Sequence, residues 1–164
     1  MDAEKKSVPH VLVVEDDPHL REVVGDRLGY KNIPYLESPD FKGAKDILDS
    51  GQRISLVLSD GMYPGDEEFP AFGSMSLLRH MHKNGMMARI PVVMMSLSPD
   101  SIKREMKKLT VMQGMDGFAP PEIYSKDNMR EVYGAVTHKL GLPTEPLRTT
   151  SDKPSQYSKP QMNG

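Results

Sequence analysis

The chain has 164 residues, room for one domain with tails, and 37% of them are hydrophobic, enough for a single core. A formal net charge of -2, with both signs mixed, gives no bulk attraction to nucleic acid or to an anionic membrane, so neither is expected as a partner. The absence of cysteine excludes disulfides, thiol nucleophiles and Cys-ligated metals, and no apolar run approaches the ~20 residues that span a bilayer.

The N-terminal stretch MDAEKKSVPH lacks the apolar segment of a signal peptide, so a cytoplasmic protein is expected. Two composition shifts bound the domain. Residues 1–8 are polar and charged, and residues 143–164 contain four prolines and few apolar groups. Such a tail buries too little surface to offset its ordering entropy and is expected to be disordered. The folded unit is placed at residues 9–142.

Between the tails, hydrophobic periodicity alternates between strand and helix. His10-Val11-Leu12-Val13-Val14 is a continuous apolar run, as in a strand buried on both faces. Asp17-Pro18 supplies a helix cap and a first-turn proline, Leu20, Val23, Val24 and Leu28 follow at helical spacing, and Gly29 ends the helix. Ile33 to Leu36 predicts a short second strand, and Ser38-Pro39 opens a helix that carries Phe41, Ala44, Ile47 and Leu48. A third strand is expected at Ile54–Leu58, then a helix through Leu77, Leu78 and Met81 that stops near Asn84-Gly85. Ile90–Met95 predicts the fourth strand, and Ser98-Pro99 opens a helix with Ile102, Met106, Leu109 and Met112. Met115–Ala119 predicts the fifth strand, and Ser125 caps a last helix bearing Met129, Val132, Tyr133, Val136 and Leu140. Most of the thirteen methionines fall on these core faces and are read as flexible filling.

Five strand-then-helix units without a hairpin signal imply an α/β fold, a parallel sheet with helices on both faces. In such sheets the working site lies beyond the carboxyl ends of the central strands. There the first strand ends in Val14-Glu15-Asp16-Asp17 and the third in Leu58-Ser59-Asp60-Gly61-Met62. Glu15, Asp16 and Asp60 would meet. Two like charges ~5 Å apart cost ~3 kcal/mol at an effective dielectric of about 20, so the cluster requires a cation or a shared proton. Hard oxygen ligands with open water positions suit magnesium, and Asp60 is placed to attack phosphorus as a carboxylate nucleophile. Asp17 is read as a cap and not as a further ligand. Ser96 ends the fourth strand with a hydroxyl able to meet a phosphoryl oxygen.

Four segments, VLVVEDDPHLREVV, LVLSDGMYPG, IPVVMMSLSPD and GMDGFAP, resemble in order and near-family spacing the signatures of response-regulator receiver domains, over residues 8–142. The resemblance implies a five-stranded, doubly wound, flavodoxin-like (βα)5 three-layer sandwich with strand order 2-1-3-4-5. It implies Mg2+ held by Glu15, Asp16, Asp60 and the backbone carbonyl of Met62, with Asp60 as phosphoacceptor and Ser96 and Phe118 as switch residues. A histidine kinase or phosphotransfer protein would donate, and an unknown output protein would receive the signal. A homodimer through the fourth helix, fifth strand and fifth helix is a further option. The lysine of the family pattern is absent from its expected place, which is held by Pro121. Lys126 lies beyond that place and is set aside. Two further departures are the bulky Leu97 beside Ser96 and additional sequence over residues 66–74.

Three functions compete. The first is a stand-alone phosphorelay receiver. The second is a pseudo-receiver interaction module that takes no phosphate, for which the missing lysine and Leu97 argue. The third is an enzyme on the same architecture. An aspartate-nucleophile hydrolase needs a proton donor where Met62 stands, and a flavin-mononucleotide site needs a phosphate loop where Glu15-Asp16-Asp17 stand, so no enzyme is expected.

Overall fold

A computed structural model describes residues 8–143 apart from residues 113 and 116. The expected tails at 1–8 and 143–164 lie almost wholly outside the described residues. Chain order is β1 His10–Val14, α1 Pro18–Tyr30, β2 Tyr35–Ser38, α2 Phe41–Asp49, β3 Ile54–Asp60 and α3 Gly73–Lys83, then β4 Val92–Ser96, α4 Pro99–Met112, β5 Glu122–Ser125 and α5 Met129–Lys139. Short 3-10 turns at Met86–Ala88 and Lys126–Asn128 precede β4 and α5. The five strands form one parallel sheet in the order β2-β1-β3-β4-β5, as expected.

The two-residue period of the strands sends alternate side chains to two separate cores. Val11, Val13, Leu56, Leu58, Val93 and Met95 face α1 and α5, where Val24, Leu28, Val132 and Val136 close the layer. Leu12, Val14, Val57, Val92 and Met94 face the other side, against Ala44 and Leu48 of α2, Met75 and Met81 of α3, and Ile102 and Met106 of α4. The apolar runs are continuous because both faces of the central strands are buried. Most of the methionines singled out from the sequence do fill these cores, whereas Met62 is exposed.

Several boundaries differ from the sequence expectation. β2 begins at Tyr35, because Asn32 adopts a left-handed turn (φ 57°) and Ile33 packs into the core before the strand starts. Ser38 ends β2, and Asp40 is the cap of α2, its carboxylate accepting from Gly43 N at 2.8 Å. Ser125 caps the 3-10 turn, and Asn128 caps α5. The largest correction concerns the fifth strand, which is Glu122–Ser125 and not Met115–Ala119. Glu122 to Ser125 pair with Val93 to Ser96, and Pro120-Pro121 stand just outside, where missing amide donors cost the ladder nothing.

The β3–α3 loop is folded back on itself. Tyr63 bridges to Phe72, Gly73 N donates to Tyr63 O at 2.8 Å, and Ser74 Oγ donates to Gly61 O at 2.6 Å. Arg79 reaches up from α3 to pair with both Asp66 and Glu68 and stacks over the Phe69 ring. The additional sequence is thus tied to α3. Gly73 is required by contact, since a Cβ there would lie 2.3 Å from Tyr63 Cδ2 and 2.7 Å from Pro64 O. Gly134, within α5, faces open space. Chemical denaturation should therefore show Gly73→Ala destabilising by about 2 kcal/mol through overpacking, and Gly134→Ala stabilising by about 0.5–1 kcal/mol through helix propensity.

Candidate functional site

The carboxyl ends of β1 and β3 lie side by side in the sheet, with Val14 in register with Ser59. The next residues along each strand are Glu15 and Asp60, so topology alone brings the predicted acids together. One carboxylate oxygen from each of Glu15, Asp16 and Asp60 lies within 4.8 Å of the others. Glu15 is fully buried, Asp60 is 6% accessible and Asp16 is exposed. The cluster is a buried floor with an open acidic edge.

Local bonds fix each member. Arg21 Nη1 donates to the Glu15 carbonyl at 2.7 Å, and Asp17 N donates to Glu15 Oε1 at 3.1 Å. Asp17 itself caps α1, its Oδ1 accepting from His19 N at 2.9 Å and Leu20 N at 3.4 Å. This is the capping role expected from the sequence. Gly61 N donates to Asp60 Oδ1 at 2.6 Å, orienting that carboxylate.

Lys126, which the sequence argument set aside, is the central cation of the pocket. Its Nζ lies 2.9 Å from Glu15 Oε2 and 3.1 Å from Asp60 Oδ2, with only 12% of the side chain accessible. The pocket therefore does contain a lysine, which the sequence reading had left out. With β5 at Glu122–Ser125, the residue immediately after the strand is Lys126. Pro121 precedes the strand and lines a groove with Lys103, Met106 and Lys107 of α4. Pro121, which the sequence reading set at the lysine position, thus lies before β5 while Lys126 occupies the pocket. Phe118 does not lie on the fifth strand either. It packs on the α3 side, edge-on to the His82 ring at 5.7 Å, while Ile123, Tyr124 and Ser125 take the places opposite Met94, Met95 and Ser96.

Ser96 is buried at the end of β4, in register with Ser125, and its Oγ accepts from Ser98 N at 2.9 Å. Leu97 is 74% accessible and stands in solvent, so it does not pack over Asp60. Met62 is likewise exposed, on a backbone fastened on both sides by the bonds to Gly61 O and Tyr63 O. His80 and His82 point to different partners, Asp49 and Phe118, and form no metal pair.

Charge balance decides the electrostatics. Burial pushes the Glu15 carboxyl up to about 7, with Asp60 adding repulsion, against the lowering pull of Lys126. For Lys126, burial works downward, but the two carboxylates outweigh it and hold the ammonium above its ordinary range. The donor set suits a hard divalent cation. It consists of oxygens only, drawn from three carboxylates that lie close together.

No protein-family model matches this chain, and no curated protein matches it. Solved structures do. A Francisella response-regulator receiver domain superposes with a TM-score of 0.60 at 21% identity, covering 82% of this chain and 98% of that one. A CheY-like receiver domain protein from Methanospirillum hungatei gives 0.59 at 23% identity, covering 81% and 94%. The response regulator TrrA from Thermotoga maritima, solved in complex with Mg2+ and BeF, gives 0.59 at 17% identity, covering 81% and 100%. The chain has the fold of response-regulator receiver domains. Among the described residues no helix is long and apolar enough to cross a membrane.

Two outcomes follow from the charge balance. Because Glu15 is a carboxyl raised above its unfolded value, the folded state binds more protons than the unfolded state between pH ~4.5 and ~7. Without metal, its contribution should make stability fall as pH rises through that window, by on the order of 2–3 kcal/mol, and urea titrations of Glu15→Gln should lose the slope. Lys126→Ala leaves two buried carboxylates uncompensated and should destabilise the metal-free protein by about 3 kcal/mol, part of which added Mg2+ restores.

Proposed function

We propose that this chain is a receiver module of a phosphorelay that accepts a phosphoryl group on Asp60. The observation that carries the reading is the pocket itself, where Asp60 stands between a neighbouring acidic pair and a buried lysine. A histidine kinase or phosphotransfer protein is the donor class. An oxygen of Asp60 forms the new bond to phosphorus as the donor's phosphorus–nitrogen bond breaks. The electron pair of that bond leaves on the imidazole, which takes a solvent proton.

Glu15, Asp16, Asp60 and the carbonyl of Met62 are the residues that would hold Mg2+. When bound, the ion supplies positive charge against the carboxylates and the phosphoryl oxygens. Lys126 begins as the partner of Glu15 and Asp60, and its ammonium is within reach of a group carried on Asp60. Gly61 N orients the acceptor, and the Ser96 hydroxyl has one proton to donate to a phosphoryl oxygen at the end of β4. Movement of Ser96 would disturb its bond from Ser98 N at the start of α4, which carries the arrival of charge to the α4–β5 side of the molecule. An output protein would bind there, in the cytoplasm. The receiver module is assigned to residues 9–142.

The pseudo-receiver reading rested on a missing lysine and on Leu97. With Lys126 in the pocket and Leu97 in solvent, that support is gone.

Amide spectra of nitrogen-15-labelled protein test the proposal, recorded with Mg2+ and then with Mg2+ plus beryllofluoride, a stable mimic of an aspartyl phosphate. Shifts at Asp60, Ser96 and Lys126 that disappear in Asp60→Asn are expected. Mg2+ shifts at Glu15 and Asp16 with no response to beryllofluoride would sink the acceptor role and leave an interaction module.

A further inference from the structure

Tyr63 is buried beneath the pocket, with 2% of its surface accessible, and its hydroxyl lies 2.9 Å from Ser59 Oγ. Ser59 Oγ in turn donates to the backbone carbonyl of Asp60 at 2.8 Å. A serine hydroxyl has one proton, so if Ser59 donates to that carbonyl, Tyr63 must be the donor to Ser59. The direction of the chain is therefore fixed, from Tyr63 O–H to Ser59 O–H to the carbonyl of Asp60.

The terminus of this chain is informative. β1 pairs with β3 only as far as Val14 opposite Ser59, so from that side the ladder stops one residue short of Asp60. The Ser59 hydroxyl supplies a partner for the Asp60 carbonyl at the point where β1 no longer can. On the other edge, Gly61 N reaches Met95 O at 3.0 Å and also Asp60 Oδ1. The backbone that carries the acceptor carboxylate is thus held between a strand bond on one side and a side-chain chain on the other. Tyr63 is itself immobilised. Its carbonyl accepts from Gly73 N, and its ring lies so close to Gly73 that no side chain fits between them. A phenylalanine would fill the same volume. The hydroxyl adds only the bond to Ser59.

We infer that Tyr63 is a positioning residue for the acceptor, acting through Ser59 on the Asp60 backbone and so on the direction its carboxylate takes toward Lys126 and an arriving ion or phosphoryl group. The inference rests on the acceptor role proposed for Asp60.

Tyr63→Phe, Ser59→Ala and the double variant test it. In metal-free protein, the Asp60 carbonyl-carbon and Gly61 amide resonances should move in both single variants. Apparent affinity for Mg2+ with beryllofluoride should weaken roughly two- to ten-fold in each, one hydrogen bond's worth, and the double variant should be no weaker than the singles because both act through one chain. Variants that lower the thermal midpoint but leave both resonances in place would overturn the inference, as would penalties that add in full. A wild-type protein with no response to Mg2+ and beryllofluoride counts against the acceptor reading. The metal-free resonances then decide the positioning role on their own.

Discussion

One ammonium group sits between two buried carboxylates at the carboxyl end of the sheet. Lys126 within about 3 Å of both Glu15 and Asp60 is the constraint around which the rest of the pocket is built. A buried, self-repelling acidic cluster is costly unless a cation offsets it. Here the chain provides its own cation from the end of β5, and that is possible only because β5 lies next to β4, whose other neighbour is β3. The parallel order places all the relevant strand ends on one side. The two hydrophobic layers hold the strands in register, so the charges meet without any of them being placed on a long flexible loop.

The same balance accounts for what the pocket can do. The lysine offsets part of the negative charge and leaves the open edge, where Asp16 is exposed, acidic and oxygen-rich. That edge suits a small hard cation, and the Asp60 carboxylate between lysine and edge is held in one direction by Gly61 N. Neighbouring features serve this geometry. Arg21 holds the Glu15 carbonyl, Asp17 caps α1 directly after the acidic pair, and the β3–α3 loop is drawn onto α3 by Arg79.

Much of this was legible in the amino-acid order. The runs at His10–Val14 and Ile54–Leu58 end directly in acids, and a buried strand followed at once by carboxylates is a pattern that surface loops seldom produce. The fifth strand was not legible. Glu122-Ile123-Tyr124-Ser125 is short, polar at both ends and half exposed at the sheet edge, so it carries neither a continuous apolar run nor a clean alternation. Met115 to Ala119 offered more apolar character, but Met115 and Phe118 are buried in the connection that leads from α4 to β5, not in the ladder. That misplacement moved the expected lysine position onto Pro121 and made Lys126 look remote. The clue in the sequence was Pro120-Pro121, which suits the entry to an edge strand and does not suit its end. The bond from Ser59 to Tyr63 had no signal in the sequence at all, because a tyrosine three residues after an acid reads as ordinary core.

The most direct test of the central claim is intact-mass measurement after incubation with a small acyl phosphate and Mg2+. The protein is expected to gain the mass of one phosphoryl group, to lose it on treatment with hydroxylamine as an acyl phosphate does, and to gain none in Asp60→Asn. A gain that persists in Asp60→Asn, or a wild-type protein that takes up no phosphoryl group under conditions in which Mg2+ binds, would contradict it.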